Sequence, residues 1–172
     1  MALTAGTWQI IDGVIGAQPI ANTSATQLHP LGKIVKARDV GTTAYGEGEF
    51  IYVKGVASAV AKNWVGIPSD NYTCVRAVAD GNYPLGVLMA ALTASYWGWA
   101  QISGKALASC LTSFTDNGFV FLTSTAGSID DASVIGDWVT GALGASSAVL
   151  ADLHAEFELA RPFAAQRVSV SS

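Results

Sequence analysis

Charge is what this sequence has least of. Only 13% of its 172 residues are Asp, Glu, Lys or Arg, about half the share usual in a soluble domain. The nine basic residues are scattered and form no stripe that would track a phosphate backbone, so direct nucleic-acid binding is not expected. Histidine occurs twice, at His29 and His154, and cysteine twice, at Cys74 and Cys110. No nucleophile–base pair and no ligand set with metal spacing emerges from so few groups. No catalytic centre, metal or cofactor is expected. The cysteines have apolar or aromatic neighbours, which suits two reduced thiols in a core; a disulfide would need an oxidising compartment, to which nothing points. The opening residues lack a basic stretch followed by an apolar one, so no signal peptide is expected.

A long apolar run is also missing. Residues 81–104 carry no charge, but Asn82, Pro84, Gly86, Thr93, Ser95, Gly98, Gln101 and Ser103 interrupt them. A membrane helix needs about 20 mostly apolar residues. Two buried strands over 85–92 and 97–102, joined by a turn at 93–95, fit better, and no membrane partner is expected.

What is present is β character. Half of the residues are hydrophobic, and β-branched and aromatic runs alternate with turn signals every 8–12 residues from Leu31 onward. Strands are expected near 32–37, 48–56, 59–67, 72–79, 84–92, 97–103, 106–111 and 118–122, with Gly104-Lys105 as a hairpin turn. Lys33, Lys36 and Arg38 interleave with Ile34, Val35 and Ala37, as on the wet face of a strand. The clearest alternation spans 149–159, where odd positions are apolar and 152–158 place Asp, His, Glu and Glu at even ones. The carboxylates there read as a solvated face rather than a cation site. Pro162 is expected to stop that strand. Ser128-Ile129-Asp130-Asp131 resembles a capped helix start, to be ended by Gly136.

Three regions follow: an extended N-terminal arm over 1–31, a β-rich domain over 32–163, and a flexible tail over 164–172. The first 32 residues carry one charge, Asp12, and their apolar pairs are separated by glycines. They suit an arm laid across a neighbouring subunit, or edge strands of the same domain. The fold expected is all-β, a compact β-barrel or β-sandwich of short antiparallel strands with that arm. Apolar residues of the arm (Trp8, Ile10, Ile11, Val14, Ile15) and the period-2 pair Trp97 and Trp99 are the candidate subunit or partner contacts. The tryptophan pair reads as core or interface, with a sugar-stacking platform as the alternative.

Several segments resemble one group of viral proteins. They are Tyr45-Gly46-Glu47-Gly48-Glu49-Phe50-Ile51-Tyr52 with Lys54-Gly55-Val56-Ala57-Ser58, Pro84-Leu85-Gly86-Val87, the run from Tyr96-Trp97-Gly98-Trp99 to Gly104-Lys105-Ala106, and Arg161-Pro162-Phe163. Together they span about 31–163 and resemble capsid decoration, or cement, proteins of tailed bacteriophages. The resemblance implies a non-enzymatic virion protein, made in the host bacterial cytoplasm and placed on the outer capsid surface. It implies the major capsid protein and further copies of the chain, as a homotrimer, as partners, and it carries no catalytic residues. A host-contacting module, such as a fibre-base or receptor-binding protein, is the alternative.

Overall fold

Residues 34–39 show most simply how this chain folds. Val35 and Ala37 are fully buried while Lys36 and Arg38 stand in water, so a period of two separates a core face from a basic wet face. The computed structural model describes residues 2–165, which form eleven antiparallel strands, several of them buried on both faces. These are β1 (Trp8–Ile10), β2 (Ile34–Asp39), β3 (Glu47–Lys54), β4 (Trp64–Gly66), β5 (Val75–Arg76), β6 (Tyr83–Leu88), β7 (Trp97–Ser109), β8 (Phe119–Leu122), β9 (Ile129–Asp130), β10 (Trp138–Gly144) and β11 (His154–Ala164). The strand order is β1-β2-β3-β7-β6-β11-β10-β8-β9, with β4 attached to β6 and β5 to β4. The chain is all-β. Its single large sheet folds over itself like a sandwich and does not close into a barrel.

Apolar side chains on both faces make this possible. In β3, Phe50 and Tyr52 enter a cluster with Trp99, Ile20 and Val35, while Ile51 and Val53 enter another with Val65, Leu88 and Ala100. A third cluster gathers Trp64, Phe114 and Phe157, with ring centroids 5.0–5.2 Å apart. Burying an aromatic side chain of this kind contributes about 1.5–3 kcal/mol by area alone.

The expected hairpin at Gly104-Lys105 does not form. β7 runs straight through it, pairing β3 before the site (Tyr52 with Trp99) and β11 after it (Phe157 with Ala106). Gly104 sits at φ +87°, just past the register shift by which Phe50 faces Gln101 and Glu49 faces Ser103, and a Cβ there would press on the Glu47 carbonyl. The buried Gln101 amide donates to the carbonyls of Ser103 (3.0 Å) and Lys105 (2.9 Å), on either side of Gly104.

Pro162 does not stop the last strand either. Phe163 and Ala164 pair with Thr140 and Val139 of β10, and the register shift between Thr140 and Ala142 leaves Pro162 where no ladder N–H is required. The alternation begins later than expected. Val149 to Leu153 form a turn, and the buried positions are Ala155, Phe157, Leu159, Pro162 and Ala164. Ala164, assigned to the tail, ends β11 between Tyr83 and Val139; residues 166–172 of that tail lie outside the described residues. The helix expected after Ser128 is absent. Ile129 is fully buried beside Leu122 in β9, but Val134 and Ile135 point outward, so no apolar helical stripe exists to bury.

Residues 2–31 lie along their own domain. β1 is the edge strand beside β2, and Trp8 packs edge-on against Phe50 at 4.9 Å. Ile20 is fully buried. Gln18 is the main bolt: its side-chain oxygen accepts from Tyr52 Oη (3.0 Å) and its backbone carbonyl accepts from Trp99 Nε1 (2.9 Å). Its N–H donates to His29 Nε2 at 3.0 Å, and the imidazole lies 5.0 Å from the Tyr52 ring.

Candidate contact surface

Two turns of the chain carry the exposed apolar side chains that a partner would see. The first follows β1. Val14 folds back toward the core, Ile11 is half in water, and Ile15 at the loop tip is 100% exposed. Gly13 and Gly16 flank the tip at φ +65° and +73°, a conformation that favours glycine and turns the chain sharply on both sides of Ile15. Trp8 and Ile10 lie half-buried on the core below.

The second is a groove of about 430 Å³ walled by Phe119, Phe121, Val134, Ile135 and Trp138. Phe119 is 61% exposed and Ile135 87%. β8 and β10 form the floor, with Trp138 opposite Phe121 and Leu143 opposite Phe119 across a register shift. Phe119 and Trp138 also border a second hollow that runs along β10 to Glu158 of β11. An exposed aromatic–aliphatic patch of this kind marks an interaction site more often than a bare surface.

A third apolar hollow, about 360 Å³, lies between Ile34, Ile51 and Ile102 on one side and Pro84, Pro162 and Phe163 on the other. The Arg161 guanidinium sits at its edge, held 3.1 Å from a Glu49 carboxylate oxygen.

The tryptophan pair expected to offer a contact does not stay together at the surface. Trp99 is 1% exposed and belongs to the core, because the Gln18 carbonyl takes its indole proton and the N-terminal segment covers its face. Trp97 is half-buried, with the Lys54 ammonium 5.7 Å over its ring. Of the seven expected contact residues, the structure therefore brings Ile11, Val14 and Ile15 to one loop, sets Trp8 and Ile10 beneath it, and withdraws Trp99. The β8–β10 groove was not expected. Phe119, Val120, Phe121 and Leu122 are apolar at every position, so alternation gives no hint of which face is wet.

The ionisable groups with displaced pKa values are tied into structural bonds. Asp39 is raised by partial burial but held down at about 2 by donors from Thr43 Oγ1 and the N–H groups of Tyr45, Gly41 and Thr7, which join the N-terminal segment to the β2–β3 turn. Burial, and then a hydrogen bond to Glu156, push the Tyr45 phenol upward. That bond is 2.9 Å, and Lys105 Nζ meets the other Glu156 oxygen at 2.6 Å. Glu156 is thus engaged rather than part of an open carboxylate face. Both cysteines are free and buried, and burial pushes each thiol up to about 12. Among the described residues no three His, Cys, Asp or Glu side chains gather to hold a metal ion.

Compared with protein-family models, curated proteins and solved structures, the chain matches none.

Proposed function

We propose that this chain is a structural virion protein: a capsid decoration protein of a tailed bacteriophage that binds the major capsid protein on the outer shell and stabilises it. The observation that supports this best is the placing of its exposed apolar groups. Several gather on the loop at Ile15, in the β8–β10 groove and in the hollow at Phe163, while others such as Leu28, Val40, Val60 and Leu150 lie exposed elsewhere on a β domain with three packed core clusters. A protein that clamps neighbouring capsomers needs such a rigid body with separate sticky sites. Many copies per shell give avidity, so each contact can be modest. The segments between Tyr45 and Phe163 that resemble decoration proteins support the same reading. In it, the chain catalyses nothing.

The host-contact alternative depended on a stacking platform at Trp97 and Trp99. With Trp99 inside the core, that platform has no second ring.

The test is reconstitution. Shells assembled from the major capsid protein alone are mixed with the purified chain, sedimented, imaged and heated. The expected result is stoichiometric binding on the outer surface and a higher shell melting temperature. Shells that neither bind the chain nor gain heat resistance would reject the proposal.

A further inference from the structure

We infer that the loop at residues 13–17 of one copy seats in the β8–β10 groove of a second copy, joining copies head to tail. This contact can be tested without any shell, so it stands or falls separately from the capsid reading.

Three observations carry it. The first is shape. Ile15 is a fully exposed aliphatic knob, held out by a turn at Gly13 and Gly16. The groove is an open trough walled by Phe119, Phe121, Val134, Ile135 and Trp138. A fully buried aromatic side chain covers about 150–250 Å², so Phe119 at 61% exposure leaves on the order of 100 Å² for a partner to cover.

The second is placement. The loop follows β1, at one end of the strand order, and the groove is built on β8 and β10, next to the other end. One copy therefore offers its knob and its trough at different ends of the sheet. That arrangement suits a heterologous contact, in which the knob of one copy enters the trough of the next and the chain of contacts closes into a ring or propagates.

The third is charge. Each copy carries a net charge of −4, so like copies repel except where they meet through uncharged surface. Residues 13–32 contain no charged side chain, and among the described residues none lines the groove. These are two neutral, apolar surfaces on an acidic molecule, and meeting through them separates no ion from water.

Sedimentation velocity over roughly 1 µM to 1 mM chain, where a contact of this size dissociates, tests it with Ile15→Asp and Ile135→Asp. The wild type is expected to assemble with rising concentration. Each variant alone is expected to remain monomeric, or to need at least about tenfold more chain. Mixing the two variants is the decisive arm. Ile15→Asp keeps an intact groove and Ile135→Asp an intact loop, so unlike copies should pair once and stop at a dimer. A mixture that stays monomeric rejects the head-to-tail contact, as does a wild type that never assembles or that assembles unaffected by either change. A wild type that is monomeric alone, yet loses shell binding on Ile135→Asp, assigns the groove to the capsid protein and also overturns the inference. Both positions are exposed and should leave the circular dichroism unchanged. If either variant unfolds, mixing Ile15→Cys with Ile135→Cys chains under mild oxidation replaces it. Cross-linked unlike pairs are then expected, and their absence counts against the contact.

Discussion

Gln101 shows how one polar residue can decide where a strand goes. It is 1% exposed, and its amide donates to the two carbonyls that flank Gly104, next to the bulge between Gln101 and Ser103. Gln101→Leu keeps the volume but strands both acceptors, and should lower stability by about 1–3 kcal/mol. Gly104→Ala should cost about 2–4 kcal/mol, since a side chain there meets both a left-handed backbone and the Glu47 carbonyl. Urea midpoints of the two variants check both values, and wild-type midpoints would refute this account of the bulge. His29 sets a pH dependence at the same scale. Burial, and then the charge of Lys33, lower its pKa below 6.5, and its Nε2 accepts from Gln18 N–H. A protonated ring would present a donor to a donor. The unfolded chain binds that proton more readily, so the contribution of His29 is complete above its unfolded pKa and is lost as pH falls through the lower folded one. NMR between about pH 7 and pH 5 should show a lower Gln18 amide protection factor, taken relative to the intrinsic exchange rate at each pH, and a shifted Trp99 indole resonance on acidification. In His29→Gln that step should vanish; if it persists, another group drives it.

At the scale of elements, β7 is the strand on which the others converge. It pairs with β3, β6 and β11 and supplies side chains to all three core clusters, whereas β1 pairs with β2 alone over three residues. Amide exchange should therefore be slowest in β7 and its partner β11, and on the order of 100-fold faster in β1. Equal protection across these strands would show that the N-terminal segment unfolds only with the whole domain. The same convergence explains what could be read from the residues and what could not. β2 and the buried half of β11 were legible because a charged or polar residue marks every second position. β7 was cut in two because Gly104-Lys105 has hairpin composition, and only its pairing with β11 shows that the chain continues. Asp130 and Asp131 beside Ser128 look like a helix start from local propensity alone. Burial of Ile129 against Leu122 outweighs that preference. The N-terminal segment reads either as an arm across a neighbour or as edge strands of its own domain, and the role of Gln18 shows only when Tyr52 and Trp99 stand beside it. Of the contact surface, the knob at Ile15 was readable because glycines isolate it. The trough was not, because an unbroken apolar run gives no sign of its wet side.

For the whole molecule, the sparse charge has a consequence for binding. Apart from Lys105–Glu156 and Arg161–Glu49, no ion pair joins the described residues, and the surfaces proposed for contact are walled almost wholly by uncharged side chains. Attraction through such surfaces comes from removing apolar area from water, which added salt does not screen. Raising salt from about 0.1 M to about 1 M shrinks the Debye length from roughly 10 Å to 3 Å and would strip away a charge-driven contact. Binding of the chain to reconstituted shells should therefore change by less than about threefold over that range, as measured by co-sedimentation at fixed shell concentration. If most of the bound chain were lost at the higher salt, charged groups such as Lys36, Arg38 and Arg161 would hold it to its partner. The seat would then lie on the basic face of β2 or at the Arg161 edge of the hollow, away from the aromatic groove. Salt dependence thus separates the two faces of the domain before any contact residue is changed.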